Sequence, residues 1–334
     1  MATVTLAQAA QTEKQPLKKG IMMGISQYSV IADILKFRTI SGLSETGVRY
    51  DEVIEPDWIA LDGTINSKSA NGKPLSWSVY QSAVHIDVPN LLEEQSGDML
   101  ERQSVRQTML AVKGFAYSAN NAFINGDQAV DANMPEGIHK MIADLASTQR
   151  VGSTEIDISS TATSATNMLA VERILDGFTY VEGSKPTAAF CNATFARQFR
   201  KIILREKLLG DTHDWLANTF TTIDPRVTQR TASTKPDFVF SDVPFYIIGK
   251  KADQTTEIIG NTYTEGGSTG AATRVFMVKL DSDDIEGIQA GPLDVVDIGV
   301  LQDKDNVRKR LKWTYGFANW GPRSAVEVQG IKVA

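Results

Sequence analysis

The sequence predicts an α+β protein whose first third is too extended to bury itself within one compact domain. A polar, hairpin-like segment occupies residues 38–88, and one long amphipathic helix follows at residues 99–123. The exit of this helix reads AFINGD at residues 122–127, and the chain restarts with MPEGI at residues 134–138. Elements that cannot cover their own apolar surface are completed by neighbouring copies in many assemblies.

Composition excludes several classes of protein. The 334 residues are 42% hydrophobic and 22% charged, so the chain can bury a sizeable core in one large domain or two. A net charge of −6 supplies no overall basic field for nucleic acid, so any contact with DNA has to be local. Apolar runs such as residues 245–248 are far shorter than the roughly 20 residues of a membrane span, and the N-terminus lacks a signal-peptide core. We therefore expect no membrane partner and a protein that stays in the compartment where it is made.

The N-terminal third is predicted to contain an arm and a hairpin. Residues 1–19 alternate small and charged side chains with little apolar periodicity, which is typical of an arm. Runs rich in β-branched and aromatic residues follow at residues 37–50 and 76–88. The segment that separates them, residues 66–74, is dense in turn formers and contains the strong turn dipeptide Asn71-Gly72.

The second strand of this hairpin changes parity along its length. Trp77 and Val79 share one face, whereas Val84, Ile86 and Val88 share the other, which predicts a bulge or twist near residues 81–83. Because a two-stranded ribbon is marginal on its own in water, we expect it to lie on another surface.

The helix after the hairpin has start and stop signals. Asp98 and Glu101 have the spacing of a capping box, and Asn125-Gly126 predicts a left-handed turn at the end of the helix. Residues 99–123 would span about 37 Å at about 1.5 Å per residue, a length that suits a spine. An apolar stripe at three- and four-residue spacing contains Val105, Met109, Val112, Ala116, Ala119 and Phe123.

The rest of the chain is predicted to be a mixed α/β region. Helices are expected at residues 138–145 and 164–175 and after Asn192, which would cap a helix with Phe195, Phe199, Ile202 and Ile203 facing inward. Strands are expected at residues 187–191, 238–248, 274–280, 293–301, 307–317 and 324–333. Along residues 307–317 the odd positions are mainly apolar and the even positions mainly basic, which predicts a strand with one apolar and one basic face.

This order of elements resembles the HK-ninety-seven-like fold of tailed-bacteriophage major capsid proteins. The resemblance covers nearly the whole chain: the polar arm, the hairpin with a lysine-bearing tip, the long helix ending in FINGD, the PEGI restart and the basic strand before SAVEV at residues 324–328. It implies an N-arm at residues 1–36, an E-loop hairpin at 37–92, a peripheral domain with the spine helix at 93–137, an axial domain at 138–291 and a C-terminal return into the peripheral domain at 292–334.

The resemblance also implies a function. The chain would be a non-enzymatic major capsid protein whose pentamers and hexamers form an icosahedral shell around double-stranded DNA, located in the virion after assembly in the host bacterial cytoplasm. Implied partners are other copies of the chain, a portal protein, a decoration protein and packaged DNA bound non-specifically. The polar leader is too short to be a fused scaffolding segment, so a separate scaffolding protein is expected.

The sequence is also compatible with two other classes of function. An encapsulin-type shell of the same fold would enclose enzyme cargo and would need an inner pocket for a cargo peptide. An ordinary soluble enzyme would need a convergent set of acid, base or nucleophile residues, and no such set stands out in the sequence.

We expect the intersubunit contacts to come from two segments. Large apolar and aromatic side chains with arginines are suited to anchoring an interface. The predicted contacts are Lys68, Lys73, Trp77, Val79, Val84 and Ile86 in the hairpin and Arg308, Arg310, Trp313 and Trp320 near the C-terminus. The alternative for the hairpin is that it packs on its own subunit.

No cofactor, metal site or catalytic residue is predicted. His85, His139 and His213 lie in unrelated segments, and the single cysteine, Cys191, sits in an apolar stretch typical of a buried, inert thiol. The glycine-rich residues 266–270 lack the Gly-Lys ending of a phosphate-binding loop.

Two further groups of residues, a set of lysines and asparagines and a basic cluster, are candidates for contacts with other molecules. Lys68 and Lys73 with Asn306 and Asn319 do not align with the residues that cross-link some capsid proteins, so no covalent bond between subunits is assigned. A basic cluster on one helix is predicted to be a solvated face or, alternatively, to meet acidic groups of an adjacent subunit or DNA. Its members are Arg197, Arg200, Lys201, Arg205 and Lys207.

Overall fold

The computed structural model describes residues 4–59, 61, 64–89, 98–159, 162–205, 236–264, 267, 270, 272–302 and 304–333. The α-helices are α1 Leu6–Thr12, α2 Pro16–Tyr28, α3 Val30–Ile34, α4 Asp98–Asn125, α5 Ile138–Ala143, α6 Ser164–Tyr180 and α7 Ala193–Arg205. The strands are β1 Val4–Thr5, β2 Lys36–Thr39, β3 Ser44–Tyr50, β4 Gly72–Ser78, β5 Tyr80–Pro89, β6 Arg150–Val151, β7 Ile156–Asp157, β8 Ala188–Cys191, β9 Phe238–Phe240, β10 Val243–Ile247, β11 Ala272–Val278, β12 Ile285–Gln289, β13 Asp294–Val300, β14 Asn306–Asn319 and β15 Ala325–Lys332.

Two sheets and a separate ribbon contain these strands. The first sheet runs β1-β2-β12-β14-β13, with β5 also paired to β14. The second runs β6-β15-β11-β8-β10-β9, with β7 also paired to β15. The ribbon consists of β3 and β4 alone.

The buried side chains form two clusters, and the first also includes residues of the second sheet such as Phe190. The cluster at the first sheet includes Ile25 of α2, Phe123 of α4 and Trp313 of β14. The cluster at the second sheet includes Phe199 of α7 and Val328 of β15. The domain boundaries that the resemblance implies stay predictions.

The predicted hairpin is present only in part. Residues 76–78 belong to its second strand, whereas most of the predicted second run forms β5, which pairs with β14, and the start of the first run forms β2, which pairs with β12. β3 and β4 pair antiparallel from Ser44 opposite Ser78 to Tyr50 opposite Gly72, so Gly72 belongs to a strand and does not form a tight turn with Asn71. Residues 51–71 make the connection instead. The parity change lies at Val79, between β4 and β5, where the Val79 N–H leaves the ladder and donates to the Leu43 carbonyl at 2.9 Å.

The N-terminal segment differs from the predicted polar arm, because it forms α1, α2 and α3. Ile21, Met22 and Ile25 of α2 are buried, and α2 packs on α4. A Cβ at Gly24 would lie 2.9 Å from Val112 Cγ1, so the glycine lets the two helices approach closely. Thr5 and Gln8 form a capping box at the start of α1, a helix signal that the sequence prediction missed.

The predicted spine helix is α4. Val112, Ala116, Ala119 and Phe123 of its stripe are buried as predicted, whereas Met109 is 60% exposed. Val105 and the expected capping pair Asp98 and Glu101 lie outside the described side chains.

The end of α4 corrects one prediction. Gly126 does not adopt the left-handed conformation that Asn125-Gly126 predicted. A glycine is needed at position 126 because two backbone segments pack closely there. The Gly137 N–H donates to the Gly126 carbonyl at 2.9 Å, and a Cβ on Gly137 would lie 2.6 Å from the Gly126 nitrogen. The FINGD and PEGI motifs therefore form one backbone junction.

The strands after residue 186 follow the sequence prediction with two corrections, one in each sheet. The expected single strand at residues 238–248 is the hairpin β9-β10, in which Ser241 and Asp242 adopt positive φ values of 50° and 65° at the turn. β12 was not predicted. Asn192 caps α7 as predicted, since its Oδ1 accepts a hydrogen bond from the Phe195 N–H at 2.7 Å.

Candidate interaction surfaces

The connection between β3 and β4 presents apolar side chains to solvent. Val53, Trp58 and Leu61 are 95%, 103% and 106% exposed. Acidic residues alternate with them along the segment DEVIEPDW at residues 51–58. Lys68 is the tip lysine that lies among these acids, since its Nζ donates to the Glu55 carbonyl at 2.8 Å and forms an ion pair with Asp57. We call the described residues of this connection, 51–59, 61 and 64–71, the tip loop.

Exposed apolar surface of this extent marks an interaction site in a soluble protein. The tip loop is acidic as well as apolar, so its partner surface should offer both apolar contacts and positive charge.

The base of the hairpin is held by an arginine. Arg38 of β2 donates through Nη1 and Nη2 to both carboxylate oxygens of Glu45 in β3, each at 2.7 Å. The same guanidinium donates to Glu286 of β12, with Nη2 at 2.6 Å. The two acids, Glu286 foremost, raise the pKa of Arg38 above its ordinary value. Arg38 therefore connects the hairpin to the first sheet.

Trp320 completes this junction. Its Nε1–H donates to Glu286 Oε1 at 2.9 Å, and its ring lies so close to Gly47 of β3 that a Cβ there would overlap it. Arg49, further along β3 and 3% exposed, forms an ion pair with Asp51 at 2.6 Å and reaches the Asp144 carbonyl at 3.4 Å. The hairpin thus leaves the body at a direction fixed by packing and charge.

The hairpin side chains predicted to contact a neighbour lie in several environments. Lys68 is on the tip loop and Lys73 is exposed on β4. Trp77, Val79 and Ile86 are buried within their own chain, and Val84 is half-buried against the same core. The intersubunit role of all these residues stays a prediction.

The C-terminal group of predicted contacts lies on and beside β14. Trp313 is 1% exposed and donates to Gln289 Oε1 at 3.1 Å, so its side chain is committed to the interior of its own chain. Arg308 forms two 2.6 Å hydrogen bonds with Asp87 of β5, which hold the pKa of that carboxyl below its usual range. The Nε of Arg310 is buried without a hydrogen-bond partner among the described residues.

The pairing of β5 with β14 brings part of the predicted set together. Val84 lies opposite Leu311 and Ile86 opposite Lys309, so the apolar residues of β5 share one sheet with the arginines of β14. Lys68, Lys73 and Trp77 belong to the ribbon instead. Sequence reasoning missed the tip-loop residue Trp58, although the alternation of acidic and apolar residues around it was a readable signal.

A groove lies between α2 and α4. It is a cavity of about 370 Å³ lined chiefly by apolar and small residues, with Lys309 at its edge. Leu17 and Met109, 52% and 60% exposed, are large apolar residues in its wall. Gly20 also lines it, and a Cβ there would meet nothing within 4 Å.

The basic cluster on α7 is divided. Arg197 and Lys201 are exposed, as a solvated face predicts. Arg200 instead donates to the Asp237 carbonyl and lies over the Phe238 ring at 5.2 Å from its centroid. The side chains of Arg205 and Lys207 lie outside the described part of the chain.

Buried charge in the second sheet forms ion pairs. Glu327 is fully buried and lies 3.1 Å from Arg274 Nε and 3.1 Å from His139 Nδ1, with Arg150 at 3.8 Å. Among the described residues no group of three or more potential ligands could hold a metal ion. Cys191 is fully buried, and this burial raises the pKa of its thiol.

No helix in the described ranges has the length and apolar character needed to cross a membrane. No family model matches the sequence, and no curated protein matches it.

Comparison with solved structures identifies the fold. The holo-SrpI encapsulin complex from Synechococcus elongatus aligns with a TM-score of 0.57 at 10% identity, covering 91% of this chain and 88% of that chain. The capsid of a native GTA particle aligns with a TM-score of 0.57 at 11% identity, covering 92% and 91%. A structure from Microbacterium phage Oxtober96 aligns with a TM-score of 0.53 at 12% identity, covering 90% of each chain. The predicted resemblance is thereby confirmed at the level of fold, and the chain has the HK-ninety-seven-like fold of capsid and encapsulin shell proteins.

Proposed function

We propose that this chain is a capsid-type shell protein and, more specifically, the major capsid protein of a tailed bacteriophage. Its copies would form pentamers and hexamers of an icosahedral shell that encloses double-stranded DNA in the virion. The observation that carries the proposal is the tip loop, whose apolar side chains are left in solvent at the end of a hairpin that is joined at its base to the first sheet.

Shell assembly gives this loop a physical purpose. A closed shell needs contacts that bury enough apolar area to be stable and still tolerate changes of angle between subunits. A loop at the end of a two-stranded ribbon can meet both needs, because the base of the ribbon fixes where the loop lies and the exposed side chains of the loop can adjust to the neighbouring copy. Lys68 and Lys73 would lie in or beside this contact, whereas Trp77, Val79, Val84, Ile86 and Trp313 would support it from inside their own subunit.

The remaining parts of the proposal follow from the resemblance. Arg308, Arg310 and Trp320 would contact neighbouring subunits at the first sheet. A separate scaffolding protein, a portal protein and a decoration protein would be partners, and DNA would be bound without sequence preference. Assembly would take place in the host bacterial cytoplasm, and the chain would carry no enzymatic activity or cofactor.

Electron microscopy of the purified full chain, paired with its mass by light scattering, tests the proposal. The protein would be examined alone and together with the proteins encoded beside it. Closed shells, or pentamers and hexamers that close when a scaffolding protein is added, are expected. A stable monomer or small dimer under every condition would overturn the proposal.

The groove between α2 and α4 favours a second candidate, an encapsulin-type shell that encloses enzyme cargo. Its apolar walls and volume of about 370 Å³ fit a few side chains of an extended peptide. The contents of native shells distinguish the candidates: nuclease-protected DNA supports the phage capsid, whereas a folded enzyme supports the encapsulin.

A pair of variants links the contents to the groove. Gly20→Leu would fill the groove, and Gly114→Leu is its control, because a Cβ meets nothing within 4 Å at either glycine and Gly114 does not line the groove. Loss of protein cargo in Gly20→Leu shells alone is the result expected of the encapsulin. Equal protein cargo in both variants would count against it.

A further inference from the structure

We infer that Arg38 is a positioning residue: it fixes the direction in which the β3-β4 hairpin leaves the body and thereby sets the geometry of assembly. The direction of the hairpin is a property of the single chain. The effect on assembly rests on the proposed function, because it needs the tip loop to contact a neighbouring copy.

The contacts of Arg38 lie where a clamp would act on the hairpin. Glu45 is the second residue of β3, at the end of the ribbon remote from the tip loop. Glu286 belongs to β12, which pairs with both β2 and β14 in the first sheet. One guanidinium therefore joins the base of the ribbon to a central strand of the first sheet, through bidentate bonds that specify orientation as well as distance.

Burial strengthens the fixed side of the clamp. Glu286 is 3% exposed, and besides Arg38 it accepts the Trp320 Nε1–H. The side chains of Arg38 and Glu45 are 26% and 27% exposed, so their pairing is only partly screened by water. The Glu45 bonds are thus the weaker side, at which the hairpin can be released without disturbing the sheet.

A small rotation at the base of the hairpin produces a large displacement of the tip loop. A strand of the length of β3 extends about 20 Å at roughly 3.3 Å per residue. A rotation of about 10° at Glu45 would then move the start of the tip loop by about 3.5 Å, several times the surface-to-surface gap of about 1 Å within which apolar side chains count as in contact. Contact between copies therefore requires the hairpin to point in one direction.

Glu45→Gln tests the clamp by removing the charge on the hairpin side alone. The control is Asp57→Asn, which breaks the ion pair of Lys68 and Asp57 within the tip loop, at side-chain exposures of 40% and 41% and with no link to the body. Gly47→Ala is a second route to the same effect, because its Cβ would displace Trp320.

Hydrogen exchange of the unassembled protein and the diameters of assembled shells are the two measurements. In Glu45→Gln and Gly47→Ala we expect exchange in β3 and β4 to be about tenfold faster, the loss expected for one charge-assisted pair. We also expect a broader range of shell diameters in both variants, an effect that a merely stabilising residue would not produce. Asp57→Asn should keep the exchange rates and diameters of the native protein.

The outcomes separate the two halves of the inference. Exchange at the native rate in both variants would overturn the clamp. Faster exchange with shells of native diameter would overturn its role in assembly geometry. Failure of the native protein to form any shell would overturn the proposed function, and the exchange rates would still decide whether Arg38 positions the hairpin.

Discussion

Replacement of Trp58 by serine should weaken assembly and leave the folded subunit unchanged. The Trp58 side chain is 103% exposed in the single chain, so its removal costs no intramolecular packing. Complete burial of a tryptophan removes about 150–250 Å² from water, which corresponds to about 4–6 kcal/mol at about 25 cal/mol per Å². If a neighbouring copy covers about half of that area, the loss is about 2 kcal/mol per subunit and the critical concentration for assembly rises about 30-fold.

Sedimentation of shells over a series of total protein concentrations measures that critical concentration directly. Thermal unfolding of the dissociated subunit supplies the second readout, and we expect the melting temperature of Trp58→Ser to equal that of the native chain. Trp58→Phe is the matched variant, because phenylalanine keeps most of the apolar area and should restore most of the assembly.

Two results would refute this reasoning. An unchanged critical concentration in Trp58→Ser would mean that the tip loop remains in solvent in the shell. A lowered melting temperature of the dissociated subunit would mean that Trp58 packs within its own chain.

Three further predictions concern the single chain. Asn192→Ala should lower the free energy of unfolding by about 2–3 kcal/mol in denaturant titration, because it removes the cap of α7 and leaves buried partners of its amide unsatisfied. Asp253 should titrate at a pKa of about 2 by NMR, since Thr256 and neighbouring backbone N–H groups stabilise its charged form. Its contribution to stability is therefore complete above the ordinary pKa of 3.8 and disappears as the pH falls through about 2, and Asp253→Asn should show no such dependence. Cys191 should react with a thiol reagent at pH 8 only after unfolding, and rapid labelling of the native protein would contradict its burial.

Much of the fold could be predicted from the sequence, because side-chain periodicity and capping residues indicate where helices and strands form. The alternation along residues 307–317 predicted β14, whose Leu311 is buried on the apolar face. The cap at Asn192 and the inward face of α7 were likewise confirmed. Each of these signals operates within a few residues, where side-chain periodicity and backbone hydrogen bonding dominate.

The errors arose where a local signal competed with distant contacts. Asn71-Gly72 has the composition of a tight turn. Gly72 instead lies opposite Tyr50, in the last pair of the ladder between β3 and β4. Gly126 follows an asparagine at a helix end, yet it is required there for close approach to Gly137.

The sequence by itself determined the spine helix, most of the strands that follow it and the resemblance to shell proteins, but not the N-terminal helices or β12. The tertiary structure decided which surfaces remain available for assembly. It buried Trp313 inside the subunit, left Trp58 in solvent and placed Arg38 beside Glu286, which lies 248 residues further along the chain. Such a pairing leaves no trace in local periodicity, because it depends on how two sheets and a ribbon pack in space rather than on the spacing of residues along the chain.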